Sequence, residues 1–142
     1  MPIVNLTRNT RMATKVRKAD NFLTRLIGLL LRKNLAPEEA LWLLPSKGIH
    51  TIGMKFPIDV VFLDKQNKVI ALRLGMPPYR TTALYLHARS ALELPEGTIQ
   101  KSHTEVGDQL DISLAEPSAI DDLKETRLSQ IGSEKNLRAA GL

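Results

Sequence analysis

The chain has 142 residues, of which 43% are apolar and 25% are charged, a composition typical of one globular domain. It contains no cysteine, which excludes disulfides, thiolate catalysis and cysteine-ligated zinc or iron–sulfur sites. The net charge of +5 is uneven, because residues 1–35 hold eight Lys or Arg against one Asp. That segment offers a contact for phosphate, but its one aromatic residue, Phe22, has helical spacing, so nucleic acid is disfavoured as a partner.

The longest apolar run, "LIGLLL" at residues 26–31, is bounded by Arg25 and Arg32. A membrane-spanning helix needs about 20 apolar residues, and a signal peptide does not follow strand-like sequence. We therefore expect a cytoplasmic protein with no membrane span. The sequence leaves the oligomeric state open.

The N-terminal elements begin with "PIVNLT", which alternates in polarity like a strand. Residues 20–33 then carry apolar side chains at helical spacing, and Asp20 can cap the start of this helix. Arg32 and Lys33 suit its last turn. Further along, "ALWLL" at residues 40–44 predicts a short buried strand, so the order is strand, helix, strand.

A β-hairpin is the clearest unit, because strands 58–63 and 68–74 flank the turn-forming "DKQN". The two prolines of "GMPPYR", residues 75–80, exclude a helix and a central strand, which predicts an irregular crossing loop. A further strand, "ARSALEL" at residues 88–94, ends at Pro95. The series closes with "LDISL" as a last strand.

About six short strands and one early helix predict a mainly β (α+β) fold. The expected architecture is a compact antiparallel β sandwich or a partly open barrel with one flanking N-terminal helix. We assign residues 1–116 to this single domain. Residues 117–142 mix sparse apolar residues with many charges, which predicts a frayed helix and a mobile C-terminal tail.

Four blocks of sequence follow one another in a distinctive order: "GLLLRKNL", "HTIGMKFPIDVVFLDKQNKVIAL", "ARSALELPEGT" and "VGDQL". This series, which spans about residues 4–112, resembles the uncharacterised family known as domain of unknown function 192. The resemblance implies a compact, mostly antiparallel β fold with one flanking helix. It implies no activity, because the family has none assigned.

Asp59 is the most informative candidate for a functional site. Strand 58–63 is apolar on both faces, so Asp59 is expected to be partly buried. A carboxylate isolated from water costs several kcal/mol unless it is paired or hydrogen-bonded. The candidate partners are His50 and Lys55, from the preceding segment, and Arg89, from a later strand.

Two interpretations of Asp59 stay open. In the structural one, it accepts backbone N–H bonds and locks the Phe56–Pro57 turn. In the catalytic one, it orients His50 as a general base for Thr51 or Ser46. No nucleophile elbow supports that arrangement, and the three histidines lack metal-ligand spacing, so we predict no metal and no cofactor.

Arg89 has its own alternatives. It can pair with Glu93 on the same strand face, or it can frame an anion-binding cleft together with Lys55. The loop 75–80 is either a lip for a pocket or partner or a covering loop. Its candidate contact residues are Met76, Tyr79 and Arg80.

The preferred hypothesis is a small non-catalytic binding or interaction module for a small anionic or polyhydroxyl ligand. Its site would be lined by His50, Lys55, Asp59 and Arg89, with the loop 75–80 above them. A hydrolase that uses a His50–Asp59 pair is the alternative. Nucleic-acid contact through the basic N-terminal segment is a weaker one.

Overall fold

A computed structural model of the protein describes residues 2–19, 21 and 32–112. Its strands form a three-stranded and a five-stranded sheet that do not close into a barrel, so the predicted mainly β class is confirmed. The described elements are β1 (Ile3–Asn5), β2 (Thr10–Ala13), β3 (Lys15–Ala19), β4 (Glu39–Leu43), β5 (Ile58–Leu63), β6 (Val69–Met76), β7 (Ser90–Pro95), α1 (Thr98–Ser102) and β8 (Leu110–Ile112).

The smaller sheet has the strand order β2-β1-β8, and the larger one has the order β3-β4-β7-β5-β6. Between them lies a core that contains side chains from both sheets, such as Ile3 and Leu92. A second core covers the other face of the larger sheet and includes Val60 and Phe62. All six residues of β5 are buried because this strand lies between the two cores.

The hairpin predicted around "DKQN" is confirmed as β5 and β6, which pair antiparallel. Alternation along β5 sends Val61 and Leu63 into the core between the sheets. Ile58, Val60 and Phe62 enter the second core, as the period of two predicts. The sequence therefore predicted both buried faces of β5 correctly.

The predicted antiparallel architecture has an exception, because β3 and β4 pair in parallel from Lys15↔Glu39 to Ala19↔Leu43. Neither β2 nor β3 was predicted, since their many Lys and Arg residues obscure the strand pattern. A parallel pair needs a long crossover connection. The predicted helix at residues 20–33 falls on this connection and lies largely outside the described residues.

The short helix α1 was not predicted, because the sequence indicated only that the preceding strand ends at Pro95. It packs its buried Ile99 into the core between the sheets. The predicted C-terminal helix and tail at residues 117–142 lie outside the described residues, so the boundary of the domain at residue 116 stays a prediction.

A polar cluster ties the end of β1 and the residues after it to the turn before β8. Asn5 Nδ2 donates to Asp108 Oδ2 at 2.9 Å, and Arg8 Nε donates to the same oxygen at 3.1 Å. Burial acts to raise the pKa of Asp108, but the hydrogen bonds from Arg8, Asn5 and the Glu105 backbone hold it below its ordinary value. The ionised carboxylate thereby joins the two ends of the described chain.

Candidate functional site

Asp59 lies at the start of β5, where it is 1% exposed. Its Oδ1 accepts the Gly75 N–H at 2.8 Å, and its Oδ2 accepts the N–H groups of Gly97 at 3.1 Å and Ile99 at 2.9 Å. The expectation that Asp59 accepts backbone hydrogen bonds is therefore confirmed. The donors, however, belong to the end of β6 and to the start of α1, not to the Phe56–Pro57 turn.

Through these bonds, the Asp59 side chain takes the place of a capping side chain at the N-terminus of α1. The N-cap residue of this helix is Gly97, which has φ +93° and no side chain to accept the first N–H groups. Asp59 supplies the missing acceptor from the neighbouring strand. Since Ile99 is buried against the sheet, the same carboxylate fixes both the start of the helix and its position on the core.

His50 does not meet Asp59 in the described part of the chain. It is exposed and forms an isolated β-bridge with Thr81, whereas both oxygens of Asp59 are bound to backbone donors. The hydrogen bond on which the hydrolase alternative depends is therefore not formed. Among residues 2–19, 21 and 32–112, no three His, Asp or Glu side chains are grouped as metal ligands.

The hydroxyl groups considered as nucleophiles are engaged in structural hydrogen bonds. Thr51 is fully buried, and its Oγ1 donates to the Pro77 carbonyl at 2.6 Å while accepting the Arg80 N–H at 2.9 Å. Ser46 Oγ donates to the Gly48 carbonyl at 2.9 Å. Thr51 therefore fastens the loop after β6 to the segment before β5.

Replacing Thr51 with valine is expected to lower the free energy of unfolding by about 1–3 kcal/mol. Valine keeps the volume but leaves the Pro77 carbonyl and the Arg80 N–H without their partner. Trypsin should also cleave faster after Arg80, because the loop loses its anchor. Denaturant unfolding and limited proteolysis check both effects, and Thr81→Val, at an exposed site, is the matched control. Equal stability and cleavage rates in the two variants would contradict the anchoring role.

The loop candidates occupy different environments. Met76 is buried at the end of β6, and Tyr79 and Arg80 are exposed. Met76 and Arg80 line one groove together with Arg73, whereas Tyr79 is outside it. The loop thus forms one wall of a groove through Arg80, whose backbone Thr51 holds in place.

Arg89 is far from Asp59, because the two residues lie at opposite ends of the β5–β7 pair. Asp59 is opposite Leu94, whereas Arg89 precedes Ser90, which is opposite Leu63. Five residues of strand separate the two positions by roughly 15 Å. The predicted convergence of His50, Lys55, Asp59 and Arg89 on one site is therefore not found, and Lys55 is exposed on the segment before β5.

The predicted pairing of Arg89 with Glu93 is wrong. Residues four apart in a strand are separated by about 13 Å, and no ion pair joins Arg89 to Glu93, both of which lie in the described part of the chain. Arg89 is exposed at the start of β7, whereas Glu93 is buried and its Oε2 has no hydrogen-bond partner. Burial raises the pKa of Glu93 to about 8, so this carboxyl is mostly protonated at neutral pH.

A cleft at the far end of β5 brings basic side chains together. It lies between the turn after β5 and the segment before β7. We define the basic cleft by its four basic residues, Lys47, Lys65, His87 and Arg89. Its other lining residues are Asp64, Gln66, Ile70, Leu86 and Ala88.

The backbone around the basic cleft is fixed by hydrogen bonds between separate segments. The Arg89 N–H donates to the Leu63 carbonyl at 2.7 Å, and the Arg89 carbonyl accepts the Ser46 N–H at 3.0 Å. The Lys47 carbonyl accepts the Tyr85 N–H at 2.8 Å. These bonds hold the positions of Lys47 and Arg89 relative to the sheet.

The sequence indicated Arg89 as a residue that binds anions but missed Lys47, Lys65 and His87. These residues lie in three separate loops, and no spacing along the chain shows that they share a surface. The turn after β5 offered the only signal in the sequence, since Lys65 lies in the predicted turn "DKQN" between two strands.

The chain is similar in sequence to proteins named UPF0127 from several organisms. A UPF0127 protein of Pyrococcus furiosus is 33% identical over 115 residues, which cover 77% of this chain and 96% of the relative. One of Thermococcus sibiricus is 31% identical over 119 residues, or 80% and 76% of the two chains. In the described part of this chain, no helix has the length and apolar character needed to cross a membrane.

Two solved structures share the fold. A protein of unknown function from Novosphingobium aromaticivorans has a TM-score of 0.69 at 20% identity, over 79% of this chain and 84% of its own. A protein from Sinorhizobium meliloti, described as a candidate transcription regulator, has a TM-score of 0.68 at 17% identity, over 78% and 89% of the chains. The family model described as "Uncharacterized ACR, COG1430" matches residues 4–112, and the chain therefore belongs to the DUF192 family.

Proposed function

We propose that the protein is a non-catalytic binding module for a small anionic ligand and that the basic cleft is its binding site. One observation carries the proposal: four basic side chains line a single concave surface, and none of them forms an ion pair within the described part of the chain. Cations that are left unpaired on one surface attract an anion from solution.

The one acidic residue in the basic cleft neutralises it only in part. Asp64 Oδ1 accepts the N–H groups of Gln66 at 2.8 Å and Lys68 at 3.0 Å. One of its two oxygens therefore stabilises the turn after β5. The permanent charges of Lys47, Lys65 and Arg89 outnumber this carboxylate. A positive field therefore remains for a ligand.

Arg89 is the residue that we expect to orient the ligand. A guanidinium group donates two parallel hydrogen bonds to a carboxylate or phosphate, whereas Lys47 and Lys65 act as point charges. Because the backbone of Arg89 is bonded on both sides, less freedom is lost when the ligand binds. The cleft is solvent-exposed, so we expect affinities in the micromolar to millimolar range that fall with added salt.

The weaker alternative, nucleic-acid contact through the N-terminal segment, has less support. Several cations of that segment are already paired with carboxylates and are not available for phosphates. Arg8 is bound to Asp108 at 3.1 Å. Arg11 is bound to Glu38 at 3.2 Å.

Titration with inorganic pyrophosphate, followed by amide chemical shifts, tests the proposal. We expect the largest shifts at residues 46–47, 64–66 and 86–89. Replacing Arg89 with alanine should weaken binding at least tenfold, about 1.4 kcal/mol, because the bidentate contact is lost.

Lys55→Ala is the control, since it removes an exposed cation outside the basic cleft and should leave the affinity unchanged. Equal losses in both variants would show non-specific charge attraction and contradict the proposal. Shifts confined to the groove between Arg73 and Arg80 would place the anion elsewhere and also contradict it.

A further inference from the structure

We infer that the ligand of the basic cleft is a phosphate monoester with an apolar body; this inference rests on the proposed function. Two features of the cleft lead to it: the number of cations around one space, and apolar side chains beside them. The cations define the charge of the head group. The apolar side chains define the rest of the ligand.

The charge of the basic cleft fits a dianion better than a monoanion. Lys47, Lys65 and Arg89 carry three permanent positive charges against the one negative charge of Asp64, and His87 adds another donor. A phosphate monoester has a charge between about −1.5 and −2 at neutral pH and three acceptor oxygens. A carboxylate has a single charge and two oxygens, so it would leave part of the cleft unpaired.

The apolar part of the cleft is formed by Leu86 and Ile70. Leu86 is 73% exposed and lines the cleft. Ile70 is half-buried, and it contacts the second core while also lining the cleft. Both side chains adjoin the cations, so a ligand that reaches them must combine an anionic head with an apolar body.

The exposure of Leu86 follows from the packing of its neighbour. Tyr85 turns inward, and its ring centroid lies 4.5 Å from that of Phe62 in the second core. Its backbone N–H is held by the Lys47 carbonyl at 2.8 Å. With Tyr85 fixed in this way, Leu86 points outward beside His87, where the described chain does not cover it.

A series of soluble alkyl phosphates tests the inference by calorimetry. The probes are methyl, butyl and octyl phosphate, each used below its micelle concentration. We expect affinity to rise about twofold to threefold with each of the first few methylene groups, because each one removes apolar surface from water. Leu86→Asn should flatten this increase, because the longer alkyl chains lose the apolar side chain that they contact.

Leu74→Asn is the matched control, since Leu74 is 59% exposed outside the cleft and its replacement should preserve the increase with chain length. Arg89→Ala separates the inference from the proposed function. If Arg89→Ala weakens the binding of methyl phosphate but the affinity of the unmodified protein does not rise with alkyl chain length, the apolar body of the ligand is refuted. Anion binding in the cleft then still stands. If Arg89→Ala has no effect on any probe, the proposed function itself is refuted.

Two further probes address the head group and its source. Octanoate should bind at least tenfold more weakly than octyl phosphate, and equal affinity would overturn the assignment of phosphate. Vesicles of phosphatidylcholine with phosphatidic acid present the same head group on a membrane. Binding to these vesicles with no response to soluble octyl phosphate would overturn the assignment of a soluble ester.

Discussion

Replacement of Asp59 with alanine is expected to lower the free energy of unfolding by about 3–5 kcal/mol. Three backbone N–H groups, those of Gly75, Gly97 and Ile99, lose their acceptor in this variant. Helix α1 cannot cap itself, because its N-cap residue is a glycine. Amide hydrogen exchange should therefore be fastest relative to the unmodified protein in residues 97–102, and urea unfolding measures the total loss.

Asp64→Ala is the matched control for this experiment. Asp64 also accepts two backbone N–H groups, those of Gln66 and Lys68, but in an exposed turn where water can replace it. Its removal is expected to cost about 1 kcal/mol or less. If Asp59→Ala were no more damaging than Asp64→Ala, the capping of α1 from β5 would be refuted.

The conservative variant Asp59→Asn is expected to be destabilised by about 2 kcal/mol. The amide has one acceptor oxygen, so its NH₂ group must face at least one of the three backbone donors. A stability equal to that of the unmodified protein would show that the charge and the second acceptor are dispensable.

The stability of the protein is expected to fall by roughly 3 kcal/mol between pH 5 and pH 8 because of Glu93. Burial raises the pKa of this residue from 4.5 to about 8 in the folded state. Between these two values the unfolded chain releases the Glu93 proton and the folded chain keeps it. The folded state thus binds more protons, and rising pH favours unfolding until pH exceeds about 8.

Glu93→Gln tests this pH dependence, because glutamine has a similar shape and does not ionise. Its stability should match that of the unmodified protein near pH 5 and exceed it by roughly 3 kcal/mol near pH 8. Glu96→Gln is the control, because Glu96 is exposed and lies just after β7. The free energy of unfolding of this variant should depend on pH as it does in the unmodified protein. Chemical denaturation at several pH values measures all three proteins. If the free energy of unfolding of Glu93→Gln fell with pH as steeply as that of the unmodified protein, the effect would belong to another group.

Asp59 and Glu93 show how the surroundings decide the role of a buried carboxyl in one sheet. Asp59 lies near the end of the sheet, where Gly75 in β6 and Gly97 at the start of α1 direct their backbone N–H groups to its carboxylate. Glu93 lies in mid-strand opposite Leu41 and Val60, whose backbone groups are used by the sheet. Asp59 is therefore bound by hydrogen bonds, whereas the Oε2 atom of Glu93 has no partner.

The sequence by itself determined the features that depend on local patterns. The period of two along β5 defined its two buried faces, and the turn formers between residues 64 and 67 defined the hairpin. The burial of Asp59 followed from the same alternation. These features were predictable because side chains alternate between the two faces of a strand and because a turn needs residues that adopt particular backbone angles. Both properties depend on residues that are close together in the sequence.

Only the tertiary structure decided which distant residues meet. It separated Arg89 from Asp59 by the length of β5, and it gave Asp59 three backbone donors from two other segments, β6 and the start of α1. It also joined Lys47, Lys65, His87 and Arg89 in the basic cleft. Such contacts depend on how the strands are ordered in the sheets and on where the loops cross. No spacing along the chain encodes that order, because residues from separate segments become neighbours only when the sheets assemble.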